Sequence, residues 1–129
     1  MRPTKQEVIQ KVSRYLSEHR EVVFAYLFGS IVDSKTFRDV DVGLYVNDAI
    51  SDGFTYSLAI SDELQTLLRC HVDVIVLNNA PDHLIYSISK GRVILNREDD
   101  ARINFITASW SRYFDIQPKR LQAINDMLT

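Results

Sequence analysis

Three aspartates occupy positions where a folded protein seldom tolerates charge. Asp39 and Asp41 alternate with Val40 and Val42 in the segment DVDVGLYV, and Asp73 lies within HVDVIVL. Alternate residues of a strand share a face, so the Cα atoms of Asp39 and Asp41 are expected about 6.6 Å apart on one side of a sheet. Asp73 belongs to a later strand of what we expect to be the same sheet. Charges among apolar strand residues are costly unless something neutralises them.

A divalent cation is one way to neutralise such a cluster. Mg²⁺ prefers carboxylate oxygens and keeps coordination positions open for water and phosphate. A pair of metal ions sharing the cluster can stabilise both the attacking and the leaving oxygen of a phosphoryl group. In the alternative interpretation, Asp39 and Asp41 lie on a solvated strand face and Asp73 pairs with an arginine or a lysine. The three carboxylates alone leave both interpretations open.

The dipeptide Gly29-Ser30 favours the metal interpretation. It ends the apolar run VVFAYLF (22–28) and precedes a turn or short helix. Backbone amides and a hydroxyl at such a position can bind an anion, and glycine allows the ligand to approach the backbone closely. Gly-Ser after a buried strand, followed by Asp-x-Asp in the next strand and by Asp73 later, predicts a phosphate site beside a carboxylate site.

The elements that must position these residues can be predicted from the pattern of apolar residues. Strands are expected at 22–28, 39–46, 71–77 and 92–95. Only the ten residues 29–38 separate the first two strands. A parallel crossover needs a dozen or more, so these strands should pair antiparallel. The prediction is an α/β (α+β) fold with a mixed sheet and flanking helices, forming a single domain over residues 1–129.

Helix signals flank these strands. Thr4, followed by Glu7 three residues later, predicts a capped first helix. Pro81 is expected as the first residue of a short helix that Gly91 ends, and a break is expected before Pro118 in the C-terminal helical region. The predicted helices span 4–20, the end of the loop 47–53 to about Arg69, Pro81 to about Lys90, and the residues after the last strand.

Composition describes an ordinary globular chain and excludes several classes of function. The 129 residues are 46% hydrophobic and 25% charged, which excludes wholesale disorder. A net charge of -2 gives no reason to expect direct nucleic-acid binding. The absence of a long apolar run and of a signal-peptide pattern predicts a cytoplasmic protein with no membrane partner. Cys70 is the single cysteine, so neither a disulfide framework nor a cysteine zinc site is expected.

Taken together, these motifs resemble the DNA polymerase β-like nucleotidyltransferases. Within them, the chain is most similar to the minimal nucleotidyltransferase (MNT) branch, whose members are antitoxins found beside HEPN-domain toxins. The connector 31–38 differs from the family pattern, because it lacks the Ala-Arg-Gly element that often follows Gly-Ser and carries Arg38 where serine often precedes Asp-x-Asp. The similar segments are FGS (28–30), DVDVGLYV (39–46), VDVIVLN (72–78), PDHLIYSISKGRVILNRED (81–99) and RYFDIQPKR (112–120).

The resemblance implies both an activity and roles for the residues. Gly29 and Ser30 would hold the terminal phosphates of a nucleotide. Asp39 and Asp41 would bind two Mg²⁺ ions, and Asp73 would complete one metal site and help to activate the acceptor hydroxyl. The implied reaction moves AMP from ATP to a hydroxyl, expected on a tyrosine of a HEPN toxin. The chain would thus be the antitoxin of a type VII-like toxin–antitoxin pair.

Two other functions compete with this one. A non-catalytic antitoxin would neutralise its toxin by stoichiometric binding, which the presence of all three carboxylates disfavours. A small-molecule nucleotidyltransferase resembling the antibiotic-modifying enzymes would need a second domain, or a second copy, to build its acceptor pocket.

Several other residues have weaker claims to a role. Lys35 and Arg38 lie between the phosphate turn and the carboxylates, where they can contact a triphosphate or remain solvated loop charges. His71 and His83 lack partners at ligand spacing, so we expect no catalytic or metal role for either. The aromatic cluster of the last helical segment can be core or a partner surface, and it comprises Trp110, Tyr113 and Phe114.

Overall fold

Helices and strands alternate along the chain in the computed structural model, which describes residues 3–128 and the side chains of residues 3–115 and 125–127. No helix within 3–128 is both long and apolar enough to cross a membrane. The elements are α1 (Lys5–Ser17), β1 (Val22–Phe28), α2 (Ser30–Asp33), β2 (Asp39–Val46), α3 (Gly53–Leu68), β3 (His71–Val76), α4 (Asp82–Ser89), β4 (Arg92–Asn96) and α5 (Asp99–Leu128).

The sheet is mixed, which confirms the prediction made from the short connector between the first two strands. Its strand order is β3-β2-β1-β4. β1 pairs antiparallel with β2 and with β4, whereas β2 and β3 run parallel. The parallel pair is joined through α3, and β1 is joined to β2 by the four-residue helix α2. The end of β1 and the start of β2 therefore lie at the same end of the sheet.

Each face of the sheet packs against a different pair of helices. Val42 and Leu44 of β2 belong to a buried cluster that includes Val12 of α1 and Leu64 of α3. The opposite face packs against α4 and α5 through a second cluster, which is formed around Phe24, Tyr26, Leu77, Ile85 and Ile88 with Phe105 at its margin. Because the two clusters cover both faces, the aspartates of β2 and β3 lie beyond them, at the end of the sheet where these two strands begin.

The ends of α1 depend on specific hydrogen bonds. The Thr4 hydroxyl accepts a hydrogen bond from the Glu7 amide at 3.1 Å, which confirms the predicted cap. The predicted end at residue 20 was wrong, because α1 ends at Ser17. The guanidinium of Arg97 donates to the carbonyl of Ser17 at 2.7 Å and to that of Val22 at 2.9 Å. These bonds fix the chain as it turns from α1 into β1.

Two prolines differ from their predicted positions. Pro81 is the N-cap of α4 rather than its first helical residue, with ψ 148° and its carbonyl accepting from the amides of Leu84 and Ile85. α5 continues through Pro118 without the predicted break. A proline within a helix removes one hydrogen bond, here to the carbonyl of Phe114, but it need not end the helix when turns continue on both sides.

Gly91 is required by the close packing between α4 and β1. A Cβ at this position would overlap the carbonyl oxygen of Leu27, which is backbone and cannot rotate away. We therefore expect Gly91→Ala to lower the free energy of unfolding by about 1–3 kcal/mol, as overpacking does, in a urea titration. Gly53→Ala is the matched control, because its Cβ would meet only the side chain of Val76 at 3.1 Å. Equal stabilities for the two variants would contradict this account.

Candidate active site

The parallel register of β2 and β3 brings the predicted carboxylates together. Asp41 lies directly opposite Asp73, and Asp39 lies opposite His71 on the same pair of strands. On its other side, Asp41 is opposite Phe28, the last residue of β1. The three aspartates therefore share one end of the sheet and one face of it, beside the point where β1 ends.

Gly29 and Ser30 lie against this cluster. Gly29 has φ 77°, and a Cβ there would overlap Oδ2 of Asp41, so a larger residue would have to displace the carboxylate. Ser30 starts α2, and its hydroxyl lies 3.4 Å from the carbonyl oxygen of Asp39, to which it donates. The Gly-Ser turn thus contacts both aspartates of the Asp-x-Asp motif, as a shared phosphate and carboxylate site requires.

The cluster carries unbalanced negative charge. The pKa of the Asp41 carboxyl is raised above its ordinary value, first by partial burial and then by the charges of Asp73 and Asp39, while His71 acts in the opposite direction. Burial without a counter-charge destabilises the ionised form, and neighbouring carboxylates add to the effect. A cation at this end of the sheet would relieve both costs.

His71 is the contact that the sequence analysis missed. Its Nε2 lies 3.2 Å from Oδ1 of Asp73, and both side chains are more than half exposed. The alternation of the strand could have predicted this contact, since His71 and Asp73 are two residues apart and therefore share a face. Asp73 is thus partnered by an imidazole, and not by the arginine or lysine that the alternative interpretation expected.

The donor set fits Mg²⁺ in its chemistry, because three carboxylates provide the oxygen ligands that this ion prefers. The side chains do not yet converge: within residues 3–115 and 125–127, no group of three or more His, Cys, Asp or Glu side chains is arranged to hold a metal ion. Asp73 is instead paired with His71. For three carboxylates to share one ion, these side chains would have to move closer together.

The basic residues near the turn occupy different positions. Lys35 and Arg38 are exposed in the connector after α2, and neither makes a hydrogen bond or ion pair with the side chains that the structure describes. Lys90, which the sequence analysis did not single out, lines a small cavity of about 190 Å³ together with Gly29 and Asp33. Its Nζ lies 4.1 Å from the centre of the Tyr86 ring.

A larger cleft opens at the outer edge of β3. It has a volume of about 520 Å³, and Asp73 forms part of its wall. Most of the remaining surface, which is largely apolar, comes from β3 itself, from residues 53–58 at the start of α3 and from residues 79–84, which lead into α4. The cleft is thus continuous with the carboxylate cluster on the side away from the Gly-Ser turn.

The remaining candidates lie elsewhere. His83 is exposed on α4, and Cys70 is half-buried against the core. The aromatic cluster joins α5 to α4: the Trp110 indole donates to the Ser89 hydroxyl at 2.8 Å, and the ring of Tyr86 stacks on that of Tyr113. The cluster is therefore at least partly structural, although Phe114 is 46% exposed.

Comparison with known proteins assigns the family. The model of the family described as "Polymerase beta, Nucleotidyltransferase" matches residues 10–100, so the chain belongs to this family of nucleotidyltransferases. The matched span contains Gly29, Ser30, Asp39, Asp41 and Asp73. A comparison with curated proteins gives no match.

Solved structures share the fold over nearly the whole chain. One is from the complex described as a tri-AMPylated Shewanella oneidensis HEPN toxin with an MNT antitoxin, with a TM-score of 0.75, 20% identity and coverage of 98% of this chain and 100% of that one. Another, from the toxin–antitoxin MntA-HepT, has a TM-score of 0.73, 19% identity and coverage of 96% and 99%. A third, from a toxin–antitoxin with AMP-PNP, has a TM-score of 0.75, 20% identity and coverage of 94% and 98%. The predicted fold and enzyme class are confirmed.

The charge of Asp41 should reduce the stability of the metal-free protein. Because the folded chain raises the pKa of this carboxyl, the folded state binds its proton more tightly than the unfolded state, and stability falls as the pH rises through that pKa. Asp41→Asn should therefore raise Tm by a few degrees at pH 7 in EDTA, with the difference disappearing below the ordinary carboxyl pKa. Asp48→Asn, in the exposed loop after β2, is the control. A lower Tm for Asp41→Asn at pH 7 would refute this.

Proposed function

We propose that this chain is a Mg²⁺-dependent nucleotidyltransferase that transfers AMP from ATP to a hydroxyl, on a tyrosine, of a HEPN toxin in the cytoplasm. It would act as the antitoxin of that pair. The observation that carries the proposal is the contact between the Gly29 backbone and Asp41, with Asp73 directly across the parallel strands. In a nucleotidyltransferase, this arrangement places an anion-binding turn beside carboxylates that can hold a cation.

The proposed partner rests on relatives. The structures with the same fold include one described as an MNT antitoxin with a tri-AMPylated HEPN toxin and one with AMP-PNP. Sequence identities of 20% show the fold alone, so adenylylation and its tyrosine target are our extension to this chain. The coverage of both chains is almost complete, so the shared fold includes every strand and helix of the candidate site.

Each residue at the site has a proposed part in the reaction. The amides of Gly29 and Ser30 and the Ser30 hydroxyl would bind the terminal phosphates. The acceptor oxygen attacks the α-phosphorus, the bond to the bridging oxygen of the β-phosphate breaks, and pyrophosphate leaves. The Asp73 carboxylate would accept the proton of the hydroxyl. Asp39, Asp41 and Asp73 would hold Mg²⁺, which supplies charge neutralisation when bound.

Lys35 and Arg38 are proposed to contact the triphosphate of the bound nucleotide. Both are exposed and unpaired with the described side chains, so the long side chains are available to an incoming triphosphate. Both lie in the connector between α2, which the Gly-Ser turn precedes, and the start of β2. Substitution of either is expected to weaken nucleotide binding less than loss of the Asp-x-Asp pair.

Binding without catalysis is the competing function, and one observation favours it. The described side chains do not form a three-ligand metal group, and Asp73 is paired with His71 instead. A site that never assembled would leave an antitoxin that works by occupying its toxin. The two functions differ in whether the toxin is covalently changed.

Nucleotide binding should depend on the metal. AMP-PNP is expected to bind much more tightly in Mg²⁺ than in EDTA by isothermal titration calorimetry, because three carboxylates would otherwise face the phosphates. Ser30→Ala should weaken binding by about 1 kcal/mol, the value of one hydrogen bond. Ser34→Ala, at the end of α2, is the control. Equal affinities with and without Mg²⁺ would count decisively against this site.

Catalysis and binding can be separated by removing charge from the Asp-x-Asp pair. Asp39→Asn with Asp41→Asn keeps the side-chain shapes but should lower transfer by several orders of magnitude, since phosphoryl transfer depends on charge stabilisation. The measurement is the intact mass of the protein encoded by the neighbouring gene, the proposed HEPN partner, after incubation with ATP and Mg²⁺. The complex between the two proteins should persist on gel filtration.

The control for that experiment is Asp48→Asn with Asp62→Asn, which removes the same charge from exposed positions. In cells, the Asp39 and Asp41 double variant should fail to neutralise the toxin, while the control variant should protect. Full protection by the double variant would show that neutralisation requires binding alone.

A further inference from the structure

β3 forms one edge of the sheet, and only part of that edge is closed by the protein itself. Val72 points its backbone amide and carbonyl away from β2. The Gln65 side chain accepts from this amide at 3.3 Å, and the Ser61 hydroxyl donates to this carbonyl at 2.5 Å. Both side chains belong to α3. The first outward-facing residue of the edge is therefore capped.

The next outward-facing residues are open. Backbone groups alternate between the two sides of a strand, and the Leu77 amide, just beyond β3, donates to the Leu44 carbonyl of β2 at 2.7 Å. Odd-numbered residues of this segment therefore face β2, whereas Val74 and Val76 face outward. Within the part of the chain that the structure describes, no side chain or loop hydrogen bond reaches the outward groups of either valine. An unpaired strand edge of this kind can accept another strand.

The open part of the edge forms the floor of an apolar cleft. Val74 and Val76 line the 520 Å³ cleft, with Phe54 and Leu58 of α3 on one side and Leu84 of α4 on the other. Phe54 is 73% exposed and Leu58 is 56% exposed, which is unusual for large apolar side chains so near a candidate active site. The cleft ends at Asp73, so an occupant would lie beside the carboxylate cluster.

We propose that this cleft binds an extended segment of the acceptor polypeptide, which adds as a strand to the edge of β3. The inference rests on the proposed function and specifies how its protein substrate is held. The backbone of the segment would hydrogen-bond to Val74 and Val76, and its apolar side chains would contact Phe54 and Leu58. Strand addition provides affinity through the backbone and selectivity through side-chain pockets.

The sheet order favours a polypeptide over the nucleotide in this cleft. The Gly-Ser turn ends β1, and Asp41 of β2 separates it from Asp73 of β3. Phosphoryl transfer requires the attacking oxygen and the leaving oxygen to lie roughly in line on opposite sides of the phosphorus. With the terminal phosphates at the turn, the acceptor hydroxyl must approach from the β3 side, which is where the cleft lies.

Hydrogen exchange in the complex tests the backbone pairing. The chain is mixed with its proposed HEPN partner, and amide exchange is followed by NMR with and without that protein. The Val74 and Val76 amides should exchange at least about tenfold more slowly in the complex, because each gains a hydrogen bond. Amides that already face β2 should change little. Unchanged exchange at both valines in a stable complex would overturn the inference.

Kinetics of transfer test the side-chain contacts. Phe54→Ala with Leu58→Ala should raise KM for the acceptor protein by about tenfold or more, as loss of buried apolar anchors does, with KM for ATP unchanged. Leu67→Ala is the matched control, because this leucine of α3 is 43% exposed but lies outside the cleft. Circular dichroism establishes that each variant is folded.

The outcomes separate this inference from the proposed function. Transfer with normal KM for the acceptor in the Phe54 and Leu58 variant would overturn the inference and leave the enzyme intact. A raised KM for ATP, or protection of Val74 and Val76 by AMP-PNP and Mg²⁺ alone, would assign the cleft to the nucleobase and also overturn it. Absence of any transfer by the wild-type chain would remove the proposed function and the inference together.

Discussion

The repulsion between Asp41 and Asp73 is the constraint on which this end of the structure depends. Parallel strands fix the two residues opposite each other, and the sheet gives them no freedom to separate beyond side-chain rotation. Partial burial of Asp41 increases the cost of its charge. The fold retains this unfavourable arrangement because the apolar clusters on both faces of the sheet hold the strands in register. The stability of the core therefore offsets the repulsion among the charges at this end of the sheet.

Glycine makes the arrangement possible at two points. Gly29 turns the chain away from β1 with positive φ while its backbone lies against the Asp41 carboxylate. Gly43 lies further along β2, where a Cβ would come within 2.9 Å of Ile88 and 3.2 Å of Leu77. Gly43 thus lets α4 pack close to the middle of this face, whereas Asp39 and Asp73 at its end remain exposed and Asp41 is half-buried.

The strands were predicted well because they depend on local alternation, whereas the shared end of the aspartates also depends on the parallel pairing of β2 with β3. The period of two in 39–46 and 71–77 defines which side chains share a face whatever the tertiary contacts are. Helix ends were less predictable. α1 ends at Ser17, whose carbonyl accepts a hydrogen bond from Arg97, a residue distant in sequence. The continuation of α5 through Pro118 likewise depends on the turns that flank it. The His71–Asp73 pair was readable from alternation, but its geometry needed side-chain positions.

The cleft could not be predicted from local pattern at all. Its walls come from the start of α3 and from the segment that leads into α4, two helices that lie on opposite faces of the sheet and approach each other at the edge of β3. Phe54 and Leu58 read as ordinary apolar residues at the start of a helix. Their exposure follows from where the helix crosses the edge, which is a property of the assembled sheet.

The hydrogen bonds of Arg97 have a consequence for how the chain folds. Its guanidinium joins carbonyls that are 80 and 75 residues earlier in the sequence, at Ser17 and Val22. β4, which precedes it, also pairs with β1. Contacts of such long sequence separation form late, since the loop they close must lose its freedom first. The hydrogen bonds that hold the turn between α1 and β1 therefore form only after β4 has been synthesised, and until then β1 can pair with β2 alone.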